Sequence, residues 1–195
     1  MCGIVGFANL KQNLENDNYK NILNKMTDKI QRRGPDEEGY FYSKHCMLGH
    51  KRLVVVDKDG GKQPMTCSLN NNTYTLVYNG QLYNTKELRN ELKSNGFEFN
   101  SHSDTEVLLK SYIHFGYEIV NKLNGIFSFA IWDSKKQELF IARDHFGVKP
   151  LYYTIYNNFI IFASEVKSLF EFTGISPVIN KESICELFGI GPAHT

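Results

Sequence analysis

The 195 residues carry 22 Lys and Arg against 21 Asp and Glu, a formal net charge of +1 at pH 7, so charge alone points to no nucleic acid or anionic membrane partner. Hydrophobic residues make up 42% and charged residues 22%, an ordinary balance for a globular protein whose length suits one sizeable core. No stretch approaches the roughly 20 apolar residues of a membrane span, and the start at Met1 lacks the basic region and apolar run of a secretion signal, so a cytoplasmic protein is expected.

The chain opens with an apolar run, Gly3–Ala8, that suits a buried strand broken by glycines. Tyr19, Ile22, Leu23, Met26 and Ile30 recur at three and four residues and predict a helix ended by Gly34-Pro35. Short strands are expected at 39–42, 46–49 and 53–56, then a loop at 57–61, and another strand from Tyr74 to Tyr78 that ends at Asn79-Gly80. Asn84 with Glu87, and Ser103 with Glu106, resemble capping pairs of two helices that end at Gly96 and Gly116. The last third reads as an antiparallel meander over 126–132, 138–142, 151–155 and 159–163, followed by helices at 165–172 and 181–188. The final residues, 189–195, read as a loop and as a cut rather than a natural end. These elements predict an α+β layered domain, for which two face-to-face sheets with helices outside are one fitting arrangement.

Four cysteines, Cys2, Cys46, Cys67 and Cys185, are scattered without a C-x-x-C pair, and the six histidines show no ligand spacing, so no metal site is expected. Cys46, Cys67 and Cys185 are expected as mostly buried free thiols. Cys2 differs by position: removal of the initiator methionine would place its thiol beside its own α-amine, a base available near neutral pH. Position alone leaves the bland alternative open, since any small second residue favours that processing.

The neighbouring residues carry more. Met1-Cys2-Gly3-Ile4-Val5-Gly6 resembles the start of class II glutamine amidotransferases, which are N-terminal nucleophile hydrolases. Further matches follow in the same order: Arg33-Gly34-Pro35-Asp36, Gly49 to Leu53, Tyr78-Asn79-Gly80, Ser103 to Glu106, Arg143 to Tyr153, and Phe162 to Glu165. Arg33-Gly34-Pro35-Asp36, with Arg52-Leu53 leading into a Val-Val-Asp run, is most similar to the asparagine synthetase branch. The resemblance implies one glutaminase domain over 1–195 with a four-layer αββα sandwich of mainly antiparallel sheets.

It also implies roles. Cys2 is the expected nucleophile, with the Asn79 side chain and the Gly80 N–H as oxyanion donors. Taken without the resemblance, Asn79-Gly80 is a tight-turn signal, and turn and oxyanion hole were compatible. Arg52 is expected to hold the α-carboxylate of L-glutamine through paired hydrogen bonds, helped by the backbone of a strand at 53–56, with Val56 the chief contact. Asp104 is expected to receive the α-ammonium group, a role compatible with its place in the first turn of a helix. Where the family commonly has Asn-Gly-Glu, this chain has Gln81, which keeps an acceptor oxygen and loses a charge. Gln31-Arg32 stands where a histidine often precedes the Arg-Gly-Pro-Asp motif, a departure expected to be structural. The 144–153 segment is read as mainly structural and core-filling.

The implied chemistry is acyl transfer through a Cys2 thioester, with no cofactor for this half. The family's acceptor half, a C-terminal synthetase domain using ATP and Mg²⁺, is absent: no Ser-Gly-Gly-x-Asp-Ser-like loop occurs here. Two alternatives stay open, an amidotransferase domain for another acceptor and a catalytically silent structural or regulatory domain. Oligomeric state is not legible, a homodimer being one option.

Overall fold

The computed structural model describes residues 1–55, 57 and 59–190; Val56, Lys58 and residues 191–195 lie outside the described residues. Nine strands form two antiparallel sheets among the described residues. Strands β1 (Gly3–Ala8), β2 (Glu37–Tyr42) and β3 (Cys46–Arg52) join the hairpin β8 (Tyr152–Tyr156) and β9 (Phe159–Ala163) in a five-stranded sheet ordered β2-β3-β1-β9-β8. Strands β4 (Met65–Leu69), β5 (Asn72–Leu82), β6 (Gly125–Asp133) and β7 (Glu138–Arg143) form the second sheet in chain order.

Every residue of β1 is buried, because the strand lies inside its sheet and both faces are covered. Its period-2 alternation sends Val5 and Phe7 toward helix α1 (Asp17–Lys29) and Ile4 and Ala8 toward the other sheet. The side chain of Asn16 caps α1 by accepting from the Tyr19 N–H, and Ile22, Leu23 and Met26 face inward. With helix α4 (Val166–Leu169) and Phe172, α1 covers the outer face of the first sheet. Between the sheets lie Leu48, Val77, Ala130, Trp132 and Phe162. The second sheet packs Leu76, Phe129 and Ile131 against Leu108, Leu109 and Tyr112 of helix α3 (Asp104–Phe115). Helix α2 (Thr85–Ser94) leans on α3 through Leu88, Leu92 and Val107. Each fully buried aliphatic or aromatic side chain here contributes roughly 1.5–3 kcal/mol. The order helix, sheet, sheet, helix is the αββα sandwich expected from the sequence. A last helix, α5, spans Lys181–Ile190.

Several sequence expectations are corrected. The expected meander is two hairpins in different sheets: β6-β7 extends the second sheet, whereas β9 pairs with β1. β4 was not foreseen, and no strand covers 53–55; there the Val54 N–H bonds to the Asp36 carboxylate instead of a ladder partner. Asn79-Gly80 is not a turn but lies inside β5, paired with Ser128 and Phe127 of β6. The actual tight turns are Asn70-Asn71 and Asn157-Asn158, all four residues at positive φ, which join β4 to β5 and β8 to β9. Asn84 does not cap α2 with its side chain, which instead bonds Lys122 O and Asn124 N. Ser103 does cap α3, but Glu106 turns to Asn100, Ser101 and Lys110 rather than completing a box. Gly189 and Ile190, expected in a terminal loop, belong to α5; residues 191–195 lie outside the described residues. Cys46 is buried, but Cys67 is half-buried and Cys185 exposed. In the 144–153 segment, Tyr152 and Tyr153 point outward instead of filling a core.

Candidate active site

Cys2 sits one residue before β1, and three motifs converge on the backbone around it. Arg33 Nε donates to Cys2 O at 2.9 Å, while its Nη1 lies 3.6 Å from Glu165. Ile4 is bonded to Ser164 twice: its N–H donates to Oγ at 2.9 Å, and its carbonyl accepts the Ser164 N–H at 2.8 Å. Asp36 takes the Val54 N–H at 2.8 Å and donates its own N–H to Arg52 O at 3.1 Å. Gly34 makes this approach possible, because a Cβ there would overlap the Lys51 carbonyl. The half-buried Cys2 Sγ is left facing the cleft, 3.7 Å from Leu53 O.

The opposing wall comes from β5. In an antiparallel strand, alternate residues aim their N–H and C=O groups at the same side. Tyr78 N–H goes to Gln63 Oε1 at 2.6 Å, and Leu82 N–H goes to Asp104 Oδ2 at 3.2 Å; both point away from β6. Phe127, opposite Gly80, bonds Asp144 on the β7 side, its N–H to Oδ2 and its carbonyl from the Asp144 N–H. The Gly80 N–H therefore lies on the same open edge, between Gln63 and Asp104. Gly80 must lack a side chain because a Cβ would overlap the Ile126 carbonyl. Asn79 faces the space between the sheets; it is buried, and its Nδ2 has no hydrogen-bond partner among the described residues.

Arg52, buried at the end of β3, has Nη1 2.6 Å from Glu37 and donates from Nη2 to Asp57 O at 2.6 Å. Glu37 is its cross-strand partner in β2, so the guanidinium is held in one orientation. Asp57 folds the following loop over the start of α3: its carboxylate accepts from Gly60 N and His102 N, which hold it below the usual carboxylate range. Asp104 opens α3 with Oδ2 fixed by Tyr78 OH at 2.8 Å. Burial and the Asp104 charge push the Tyr78 hydroxyl well up, so it remains a proton donor.

Cys2, Arg52, Asn79, Gly80, Gln81 and Asp104 all line one cleft of ≈ 400 Å³, within the range of small-molecule sites. Gln81 is exposed at its mouth, and Val56 lies outside the described residues. A larger cavity of ≈ 490 Å³ opens elsewhere, between Trp132, Phe140 and Ile160, and holds none of these side chains. Sequence reading missed Gln63 as a support of β5, and the part of Arg33 and Asp36 in fixing Cys2 and Arg52. Only the quoted Arg-Gly-Pro-Asp string hinted at them.

A thiol at the head of a central strand thus shares one cleft with the Asn79 amide, the Gly80 backbone and the oppositely charged Arg52 and Asp104. The family model described as "Glutamine amidotransferase domain" matches residues 1–194, and the chain belongs to that family. It is 46% identical over 195 residues to "Asparagine synthetase [glutamine-hydrolyzing] 3" of Bacillus subtilis (strain 168), covering 100% of this chain and 31% of that protein. Identity is 44% over 169 residues to asparagine synthetase 1 of the same organism, covering 87% of this chain and 26% of that one. It is 34% over 187 residues to "Amidase chry2" of Gibberella zeae, covering 91% and 27%. The chain thus spans less than a third of the length of these relatives. Among solved structures, the glutamine phosphoribosylpyrophosphate amidotransferase of B. subtilis, complexed with ADP and GMP, superposes with a TM-score of 0.71 over 86% of this chain and 43% of that one. At 22% identity, that likeness speaks for the fold alone.

Proposed function

We propose that this chain hydrolyses L-glutamine to glutamate and ammonia through a Cys2 thioester and supplies the ammonia to an ATP-dependent asparagine-forming domain of a longer parent. The observation that carries the reading is the cleft itself, where Cys2 Sγ, the unpaired Asn79 amide and the Gly80 edge face an Arg52–Asp104 pair. With Met1 removed, the α-amine of Cys2 takes the thiol proton, and the thiolate attacks the side-chain amide carbon. Asn79 Nδ2 and Gly80 N–H stabilise the oxyanion. The ammonium proton then passes to the departing nitrogen, the C–N bond breaks, and ammonia leaves a thioester. The same amine takes a proton from water as it attacks the thioester, and glutamate is released with the thiol restored. Arg52 holds the α-carboxylate and Asp104, through Oδ1, the α-ammonium.

No cofactor enters this half. The ATP and Mg²⁺ belong to the acceptor step; among the described residues no group of three or more His, Cys, Asp or Glu side chains converges. We assign them to the C-terminal synthetase domain of the parent, and assign the protein to the cytoplasm. No helix among the described residues is long and apolar enough to cross a membrane. Transfer to a different acceptor is a second reading, favoured by the similarity to an amidase. The test of the first half is ammonia release from L-glutamine after mass spectrometry confirms loss of Met1. Cys2→Ala is expected to abolish release; release that survives the substitution, or a processed wild type that neither releases ammonia nor is acylated at Cys2, refutes it. Asparagine formation by the parent with aspartate, ATP and Mg²⁺ decides the acceptor.

A further inference from the structure

We infer that His50 is a positioning residue that sets the oxyanion donors by holding the Tyr78–Asn79 peptide from across the sandwich. The inference rests on the glutaminase reading above and deepens it.

Beyond the Met65–Leu76 pair, β4 no longer accompanies β5. The outward backbone groups of Tyr78, Gly80 and Leu82 then have no strand partner, and side chains replace one. Gln63 Oε1 accepts the Tyr78 N–H, Asp104 Oδ2 accepts the Leu82 N–H, and His50 Nε2 lies 3.1 Å from the Tyr78 carbonyl. A carbonyl only accepts, so the ring proton is on Nε2 and Nδ1 carries a bare lone pair. The ring is fully buried, and burial lowers its pKa to about 4, which keeps it neutral at working pH.

His50 comes from the first sheet, on the same face of β3 as Cys46 and Leu48, and reaches the second sheet across the interior. Its Nδ1 has no partner among the described residues. A buried acceptor left unpaired costs stability, so a leucine would fill this place at less cost. What leucine lacks is the donor. The Tyr78 carbonyl and the Asn79 N–H are two ends of one planar unit, so fixing the carbonyl fixes where the Asn79 Cα stands. The Asn79 amide and the following Gly80 N–H both take their direction from that atom.

The test uses this chain with Met1 removed, as wild type, His50→Leu and His50→Gln; the glutamine keeps an N–H donor within reach. Steady-state hydrolysis is measured with the affinities for L-glutamate and for L-glutamate γ-semialdehyde. The aldehyde adds the Cys2 thiol to give a thiohemiacetal whose oxygen occupies the oxyanion hole, whereas glutamate uses only the ends that Arg52 and Asp104 hold. Expected for His50→Leu is a loss of about 10- to 100-fold in kcat and a similar loss of aldehyde affinity, with KM and glutamate affinity within about two-fold. His50→Gln is expected to restore most of both. An equal loss for aldehyde and glutamate, wild-type behaviour of His50→Leu, or failure of His50→Gln to restore would overturn the inference. If His50→Leu does not fold, His50→Asn, too short to reach the carbonyl, is judged by the same criteria. A wild type that does not bind the aldehyde through Cys2 fails the glutaminase reading, and the inference with it.

Discussion

At the cleft the first sheet ends in β1, a strand bonded to β3 and β9 on its two sides, whereas the second ends in β5, which has lost β4 beyond Leu76. Cys2 is thus carried by a ladder, with Arg33 fastening Cys2 itself and Ser164 fastening Ile4 at the start of β1. The oxyanion edge is carried by single side chains, Gln63, His50 and Asp104, each holding one backbone group. A ladder shares the cost of any one lost bond among its neighbours. An edge held residue by residue does not. Changes on the β5 side should therefore reach the chemistry with little effect on folding.

The strongest way to break that contrast is Asn79→Ala. Removing one preplaced oxyanion donor costs about 100- to 1,000-fold in kcat, or ~3–4 kcal/mol of transition-state stabilisation. KM for glutamine should change little. The Nδ2 group is buried without a partner, so its removal relieves an unsatisfied donor and the melting temperature should stay or rise. A variant that loses stability and rate together would show that Asn79 is a structural part of the sandwich.

That division also explains what the sequence made legible. β1, α3 and β9 were foreseen nearly to the residue, since apolar runs and a Ser103 cap are local signals; three-four spacing found α1, which ends at Lys29 rather than at Gly34. The layered fold followed from them. β4 was missed although Met65-Thr66-Cys67-Ser68-Leu69 alternates apolar and polar residues: five residues make a weak local signal, and the extension is fixed by pairing with β5. Asn79-Gly80 misled for the opposite reason: its local turn preference is overridden by pairing with Ser128 and Phe127. The residues of the cleft were legible as quoted motifs, but Gln63 stood in none, and His50, inside the Gly49 to Leu53 match, was given no role. A side chain that replaces a missing strand is recognisable only once the sheet edge is known.

His50 also ties the two sheets' contrast to pH. Its pKa is about 4 in the folded chain against an ordinary 6.5, through burial first and the nearby Arg52 charge besides. The unfolded chain therefore binds the proton first. This stability is fully present above pH 6.5, declines as pH falls through that window, and levels off near pH 4, a total of ~3 kcal/mol. Denaturant unfolding at pH 7, 5.5 and 4.5 should show that slope in the wild type and a shallower one in His50→Gln. Parallel slopes would mean that other groups set the acid response.

The smallest expected effect lies at the cleft's mouth. Gln81 is exposed beside Gly80, where the resemblance of the surrounding motif leads to the expectation of a glutamate. Gln81→Glu adds a charge near the site proposed for the substrate ammonium, beside Asp104. The gain is roughly 1 kcal/mol, a several-fold lower KM, with kcat unchanged. Because the side chain is exposed, salt should screen it: the KM difference measured at low ionic strength should shrink toward 0.5 M. A gain that survives salt would place the carboxylate in direct, dry contact with the substrate and make residue 81 part of the held edge. A change in kcat instead would mean that the charge acts on the oxyanion donors next to it. Anionic charge there opposes the oxyanion, and the rate would fall.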